Sequence, residues 1–393
     1  MTRAGLLLAA TAVAASAAAC SPERDHGVVL WHTYNGAERD TLEELAASWN
    51  QAHPDQELTL VAVPYDAFAD KLTSAIPNGN GPDLFIYAHD RIGAWAAASL
   101  VEPVEFWVDE PIADRYDRNA LLPLAYQDSL WGLPLATKSL ALFYRTDQVT
   151  TPPRTTDELI AMAPDARAHG RFALAYASTE LYGHAPWLYG YGGEIFADDG
   201  SLHVATAEAA AAAGFARKLV ADGVSPAETN GQQVATLFGE GKASMALSGP
   251  WFIGDIPAGV PWAVTTLPTV SATGRAAEPF LTAEAVLMSS RARDKEAAFA
   301  VMSYLTDDPS AVLRARQARQ VVANKAAYDD PDVAADQVLA TFRDQLDHTV
   351  PMPATPTMRA VWRPYQIALQ EILRGGDPGD ALRGVEDEVI HGP

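Results

Sequence analysis

From residue 28 onward, short apolar runs alternate with stretches of helical periodicity. Val28-Val29-Leu30-Trp31 predicts a buried strand, with Tyr34-Asn35-Gly36 as the loop after it. Leu42, Leu45, Ala46 and Trp49 recur at helical spacing while Glu43 and Glu44 face away, and Pro54 closes the segment. A strand over 58–63, a helix near 68–76, a loop over 77–82, a strand over 83–87 and a helix over 92–100 follow. This βαβα order predicts α/β layers with a largely parallel sheet, whose ligands sit outside the carboxyl ends of the strands. Asp90 and Arg91 fall at one such end.

Leu133 to Tyr144 predicts a long extended crossing. Beyond the Pro152-Pro153 break come a helix from Thr156, a strand over 172–176, an aromatic loop over 182–191 and a strong helix over 207–221. Strands are expected at 262–267 and 285–288, then an amphipathic helix over 297–305 and helices to the end. A single core stops growing at about 250 to 300 residues, so a chain of 393 residues predicts two lobes. Without a Pro-, Gly- or Ser-rich linker between them, the lobes are expected to share several crossings and a hinge.

The charge narrows the partners. With 28 Lys and Arg against 50 Asp and Glu, the net charge is −22, which excludes nucleic acid and disfavours anionic ligands and membrane surfaces. The start of the chain sets the compartment: Arg3 and the apolar run Leu6 to Ala19 form an export signal over residues 1–19. That run is too short for a good spanning helix. Cys20, the only cysteine, has no disulfide partner and no metal-ligand cluster beside it. Following Ala17-Ala18-Ala19, it resembles a bacterial lipoprotein processing site, with Ala17 where leucine is usual. Lipidation of Cys20, with residues 20–26 as a tether, is the expectation; ordinary A-x-A cleavage would leave it unmodified.

Candidate chemistry lies in four segments. Residues 81–93 place Asp90 beside Arg91 at a strand-to-helix turn, next to Tyr87. A carboxylate accepts from vicinal hydroxyls, a guanidinium donates in a rigid fork, and an aromatic face covers the C–H surface of a pyranose. Residues 238–251 run from Phe238 through a strand into Gly249-Pro250-Trp251. Residues 352–362 carry Met352, Met358 and Trp362, and Thr179-Glu180-Leu181-Tyr182 adds an acid and a tyrosine. By pattern alone, Asp90 reads as a helix cap, Trp251 as core, and Met358 with Trp362 as a packed helical stripe.

In the same order and at compatible spacing, these segments resemble the family 1 extracellular solute-binding proteins of bacterial ABC importers, and most closely the maltose-binding branch. The resemblance implies an α/β periplasmic-binding-protein type II fold. Two discontinuous lobes would enclose a ligand cleft, the first from 27–136 and 286–325, the second from 137–285 and 326–393. It implies ligand contacts from Tyr87, Asp90, Arg91, Glu180, Tyr182, Trp251, Met352 and Trp362, with Tyr87 in the place of a tryptophan. Lys138 stands where the maltose-binding branch has an acid, so hydroxyls are read differently there. A monomer without cofactor or metal is implied, binding a maltose- or maltodextrin-like oligosaccharide and delivering it to a membrane permease. Another disaccharide or a non-sugar solute would suit the same fold. A secreted glycoside hydrolase is the catalytic rival, yet there is no G-x-S-x-G, H-E-x-x-H or P-loop motif.

Overall fold

A computed structural model of the protein describes residues 27–116 and 118–392; the leader, Cys20 and the tether expected over 20–26 lie outside them. Val28–His32 pairs in parallel with Leu58–Ala62 on one edge and Leu84–Ala88 on the other. Leu84–Ala88 pairs antiparallel with the ten-residue strand Phe280–Ser289, whose far edge takes Gly132–Lys138. A second sheet runs in the order Trp262–Thr265, Ala141–Arg145, Ala243–Ser248, Phe172–Ala175. Only its last pair is parallel.

Both sheets are therefore mixed rather than largely parallel. Strands that return by a helical crossover run parallel. Ala141–Arg145 and Phe280–Ser289 instead arrive from the other sheet, enter from the opposite end, and run antiparallel to their neighbours, save for the short parallel pair of Phe280 and Leu281 with Val350–Pro351.

Alternation along the strands builds a core on each face. In the first sheet Leu30, Leu84, Ile86, Val286 and Met288 pack against Leu42, Leu45 and Trp49 of helix Gly36–Ala52 and Val301 and Met302 of helix Lys295–Leu305. Phe85, Ala285 and Leu287 face the other way, onto Phe68, Leu72 and Trp95. Phe280–Ser289 is buried from end to end, which reads in sequence as a continuous apolar run interrupted by Glu284. In the second sheet Phe143 and Ala246 pack with Phe238, Phe252 and Phe342. Each fully buried Leu or Phe contributes about 1.5 to 3 kcal/mol.

Only Ser139 and Leu140 separate strand Gly132–Lys138 of the first sheet from Ala141–Arg145 of the second. A third segment joins this crossing: Thr137 N–H donates to the Val321 carbonyl at 2.8 Å and Ala323 N–H to the Leu135 carbonyl at 3.1 Å. The breaks expected at 136/137 and 285/286 fall within strands of the first sheet, because Lys138 still pairs with Thr282 and Glu284 with Ala88. Strands entering and leaving a sheet share one apolar signature, so the pattern alone does not mark where one sheet ends.

The aromatic stretch over 182–191 is a helix, Leu181–Gly190, and not a loop. Its Gly183, Pro186 and Gly190 read as breakers, but burial on all sides outweighs their poor propensity. Gly183 is required by packing, since a Cβ there would lie 2.3 Å from the Ala177 carbonyl oxygen. Trp187 is fully buried and belongs to the core.

The same helix carries His184, fully buried with neither ring nitrogen hydrogen-bonded. Desolvation lowers its pKa to about 3. Unfolding frees it to titrate near 6.5, so the unfolded chain binds more protons between those values and acid destabilises the fold. The expected loss is on the order of 2 kcal/mol between pH 6.5 and 4.5. Urea titrations across that range check it: His184→Phe should flatten the slope, and an unchanged slope would assign the acid sensitivity elsewhere.

Candidate functional site

The parallel strands of the first sheet all end on one side. Val28–His32 leads to Tyr34, Leu58–Ala62 to Tyr65, and Leu84–Ala88 to Asp90 and Arg91 in the short 3-10 turn His89–Arg91. Gly132–Lys138 delivers Lys138 to the same edge, opposite Thr282. This edge meets the second half of the molecule through Phe280, Tyr182, Trp251 and Trp362.

Asp90 and Arg91 are half-buried. The Asp90 carboxylate accepts no hydrogen bond from another described residue, and Arg91 Nε is buried without a partner. Burial pushes the Asp90 carboxyl up to about 6, against the pull of the Arg91 charge. Buried polar groups are normally paired, and leaving one unpaired costs about 1 to 3 kcal/mol. An acid and a base held side by side with hydrogen-bonding capacity unspent are set to take up a polar ligand.

Tyr87 is buried, its ring stacked on Phe68 at 5.2 Å and tilted against Trp95 at 5.2 Å. Its other side is covered by Tyr65, parallel within 9° at 5.6 Å and itself 62% exposed. The aromatic surface expected from Tyr87 is therefore presented by Tyr65. An exposed tyrosine at the start of helix Tyr65–Ala75 gives no periodic signal by which to find it.

Trp251 stands on the 3-10 helix Pro250–Asp255 directly after strand Ala243–Ser248, and is 40% exposed. Its ring folds over Gly249, where a Cβ would sit 2.1 Å from Trp251 Cζ3; this explains the Gly-Pro-Trp sequence. Tyr182 lies 6.1 Å away and is 5.9 Å from Phe280, which meets Trp362 edge-on at 6.3 Å. Burial pushes the Tyr182 hydroxyl up to about 12; that hydroxyl is 3.3 Å from Thr282 Oγ1, and the charges of Lys138 and Asp90 both act on it. Tyr182 is thus where the predicted residues converge. Glu180, the N-cap residue of its helix, is half-buried, and burial raises its pKa.

Met352, a ligand contact implied by the resemblance, is buried. Its residue is 5% exposed and packs in the core with Met358 and Tyr365. Its carbonyl accepts from His89 Nε2 at 2.8 Å, while His89 Nδ1 accepts from the Ala283 N–H at 3.0 Å. Nearby, a Cβ on Gly93 would lie 2.5 Å from the Ala354 carbonyl oxygen. The segment packs against helix Ile92–Ala97, which directly follows the Asp90 turn.

Lys138 is held by groups that the sequence reading did not single out. Its Nζ is 2.8 Å from Glu284 Oε1, 3.6 Å from Glu38 Oε1 and 5.6 Å from the centre of the Tyr34 ring. Burial alone would lower its pKa, but the charges of Glu284 and Glu38 outweigh it and raise it. Among the described residues no cluster of three or more His, Cys, Asp or Glu side chains could hold a metal ion.

Comparison with known proteins bears on the family and the fold. A family model described as bacterial extracellular solute-binding protein matches residues 35–312. The maltotriose-binding protein of Pyrococcus abyssi is 28% identical over 380 residues, covering 92% of this chain and 82% of the relative. The galactooligosaccharide-binding protein of Bacillus subtilis is 26% identical, covering 94% of this chain and 92% of the relative. A solved maltose/maltodextrin-binding domain from Bdellovibrio bacteriovorus, bound to maltotriose, has a TM-score of 0.84 at 24% identity. It covers 93% of this chain and 98% of that one, which establishes the two-lobed fold expected from the sequence.

Proposed function

The chain belongs to the bacterial extracellular solute-binding protein family, and on that premise we propose that it captures a maltodextrin-like oligosaccharide in the cleft and hands it to an ABC permease. Its work is binding and not catalysis, as in the rest of the family. The observation that carries the ligand reading is the Asp90 carboxylate and the buried, unpartnered Nε of Arg91, held beside the exposed Tyr65, with the exposed Trp251 standing against Tyr182. Aromatic faces cover the apolar surface of a sugar ring while the charged pair takes its hydroxyls. Around the site stand Asp90, Glu180, Glu38 and Glu284 against Arg91 and Lys138, a balance that suits a neutral ligand over a phosphate ester. Tyr182 and Trp362 complete the aromatic surround, with Tyr87 backing Tyr65.

Because the contacts come from both sides of the crossings at 138–141 and 319–323, a bound sugar would bridge the two lobes and favour their closed arrangement, the form a permease reads. A panel of maltose, maltotriose, longer maltodextrins, trehalose and a galactooligosaccharide, read by thermal unfolding, tests the ligand class. At a hundredfold excess over Kd the stabilisation is about 2.7 kcal/mol. A rise with the α-glucans alone supports the reading. A rise with the galactooligosaccharide alone moves the ligand to the other relative's class.

The family is extracellular, and one relative, from Streptococcus pneumoniae, is named a lipoprotein. Among the described residues no helix is long and apolar enough to cross a membrane. A lipid on Cys20 would supply the attachment, although a stable hold takes more than one acyl chain. Cys20→Ser is expected to move the exported protein from the membrane fraction into the soluble one. Retention on the membrane after that change would rule out Cys20 as the anchor.

A further inference from the structure

Glu284 is the one acid in the buried strand Phe280–Ser289, and it is 7% exposed. Such a carboxylate is costly to bury unless its oxygens are bonded. Both are: Oε2 accepts from the Tyr34 hydroxyl at 2.6 Å and Oε1 from Lys138 Nζ at 2.8 Å. Glu284 therefore has little left to offer a ligand. Lys138 has more, since an ammonium carries three donors and one is used on Glu284. Glu38 is a looser neighbour at 3.6 Å and is itself bonded by Gln320 Nε2 at 3.0 Å.

The backbone supports this arrangement. Between Gly132–Lys138 and Phe280–Ser289 the register shifts at Glu284 and Ala285, leaving Leu135 without a partner across the ladder. Bulges next to sites re-aim the side chains that follow. Here the bulge lies three residues before Lys138, and the freed Leu135 carbonyl is taken by Arg314 Nη1 at 3.0 Å and the Ala323 N–H at 3.1 Å. Strand, bulge and carboxylate together fix where the ammonium ends.

We infer that Glu284, with Tyr34 behind it, is a positioning residue that holds Lys138 as a fixed cationic donor at the cleft edge, so that the ligand is read there through an oxygen lone pair. A free lysine on its flexible stem would lose rotamer freedom on binding a sugar; one already tied at the far side does not. At this position a ligand hydroxyl need not donate, so a glycosidic or ether oxygen serves equally well. The assignment of an oligosaccharide ligand rests on the proposed function, but the posture of Lys138 does not.

The test has two arms. In the first, maltotriose affinity is measured for the parent, Glu284→Gln, Lys138→Met and the double variant, alongside ligand-free unfolding midpoints. Glu284→Gln and Lys138→Met should each weaken binding about tenfold, and the double variant should be no weaker than Lys138→Met alone. Losses that multiply, or a Glu284→Gln variant that binds as the parent does, would overturn the inference. Tyr34→Phe, with a several-fold loss expected, takes the place of Glu284→Gln if that variant does not fold.

In the second arm, which needs no sugar, acetylation of lysines is followed by mass spectrometry. Lys138 should react slowly in the parent and about tenfold faster in Glu284→Gln or Tyr34→Phe. Equal rates would overturn the inference whatever the ligand. If maltotriose fails to bind the parent while Lys138 shows the expected protection, the ligand reading fails and the positioning role stands.

Discussion

Replacing Trp251 with alanine is expected to weaken oligosaccharide binding by about 2 kcal/mol, roughly thirtyfold, and to leave the unfolding midpoint nearly unchanged. The two halves of this expectation come from different facts. The indole is 40% exposed and its one aromatic neighbour among the described residues is Tyr182 at 6.1 Å, so little packing is lost with it. It also stands just past the end of a strand of the second sheet, beside Tyr182, where a pyranose face would cover it. Calorimetric titration with paired thermal melts separates the two. A large drop in midpoint with little change in affinity would make Trp251 a structural residue. Trp362, half-buried and packed edge-on against Phe280, should lose both affinity and stability when truncated.

Truncating Asp90 is expected to have the second large effect. Asp90→Ala removes a charged acceptor and leaves Arg91 with no adjacent acid on its own turn, and hydrogen bonds to charged groups are worth about 1.5 to 3 kcal/mol. Affinity should fall roughly ten- to hundredfold. The raised carboxyl adds a pH signature. In the free protein Asp90 loses its charge as pH falls through about 6; if the sugar binds the ionised form, affinity should be flat above pH 7 and about tenfold lower at pH 5. Asp90→Asn should abolish that dependence. Its persistence in the Asn variant would point to another group.

The fold's stability moves with different groups, and in opposing directions. A raised Asp90 makes the folded state take up a proton before the unfolded chain does, so this group alone adds stability as pH falls from about 6 towards 4. His184, held neutral by burial, acts the other way and over a wider range. His184 therefore acts on the acid limb of a stability profile together with His89, His32 and Asp83, whose pKa values are also lowered in the fold, whereas the acid limb of a binding profile reports on Asp90.

Much of the fold was legible because its strands and helices carry clean periodicities. Val28–His32, Leu58–Ala62, Leu84–Ala88 and Ala207–Ala221 match the apolar patterns to within a residue or two. The helix Leu181–Gly190 did not announce itself, since buried on all sides it has no polar face, and Gly183 and Pro186 imitate a loop. The mixed sheets were hidden for another reason: direction is set by where a strand comes from, which local pattern does not record.

Among site residues, resemblance proposed Asp90, Arg91, Tyr182, Trp251 and Trp362, of which Tyr182 and Trp362 meet at Phe280 and Trp251 stands against Tyr182. Resemblance did not reveal Tyr65 or Tyr34, which follow strand ends, or Glu284, in the middle of strand Phe280–Ser289. Glu284 left one trace, an acid in an apolar run, and such a residue is either paired or functional. Lys138 explains it: with a base where the maltose-binding branch has an acid, a buried carboxylate 146 positions away supplies the compensating charge.

The central claim is that the cleft between the two sheets binds an α-glucan oligosaccharide through these residues. Isothermal titration of the exported protein with maltotriose, for the parent and Asp90→Ala side by side, tests it most directly. The account predicts saturable one-to-one binding by the parent, weakened at least tenfold by the substitution while the fold is retained. Parent binding that Asp90→Ala leaves untouched, or no heat from maltotriose with a folded parent, would contradict it.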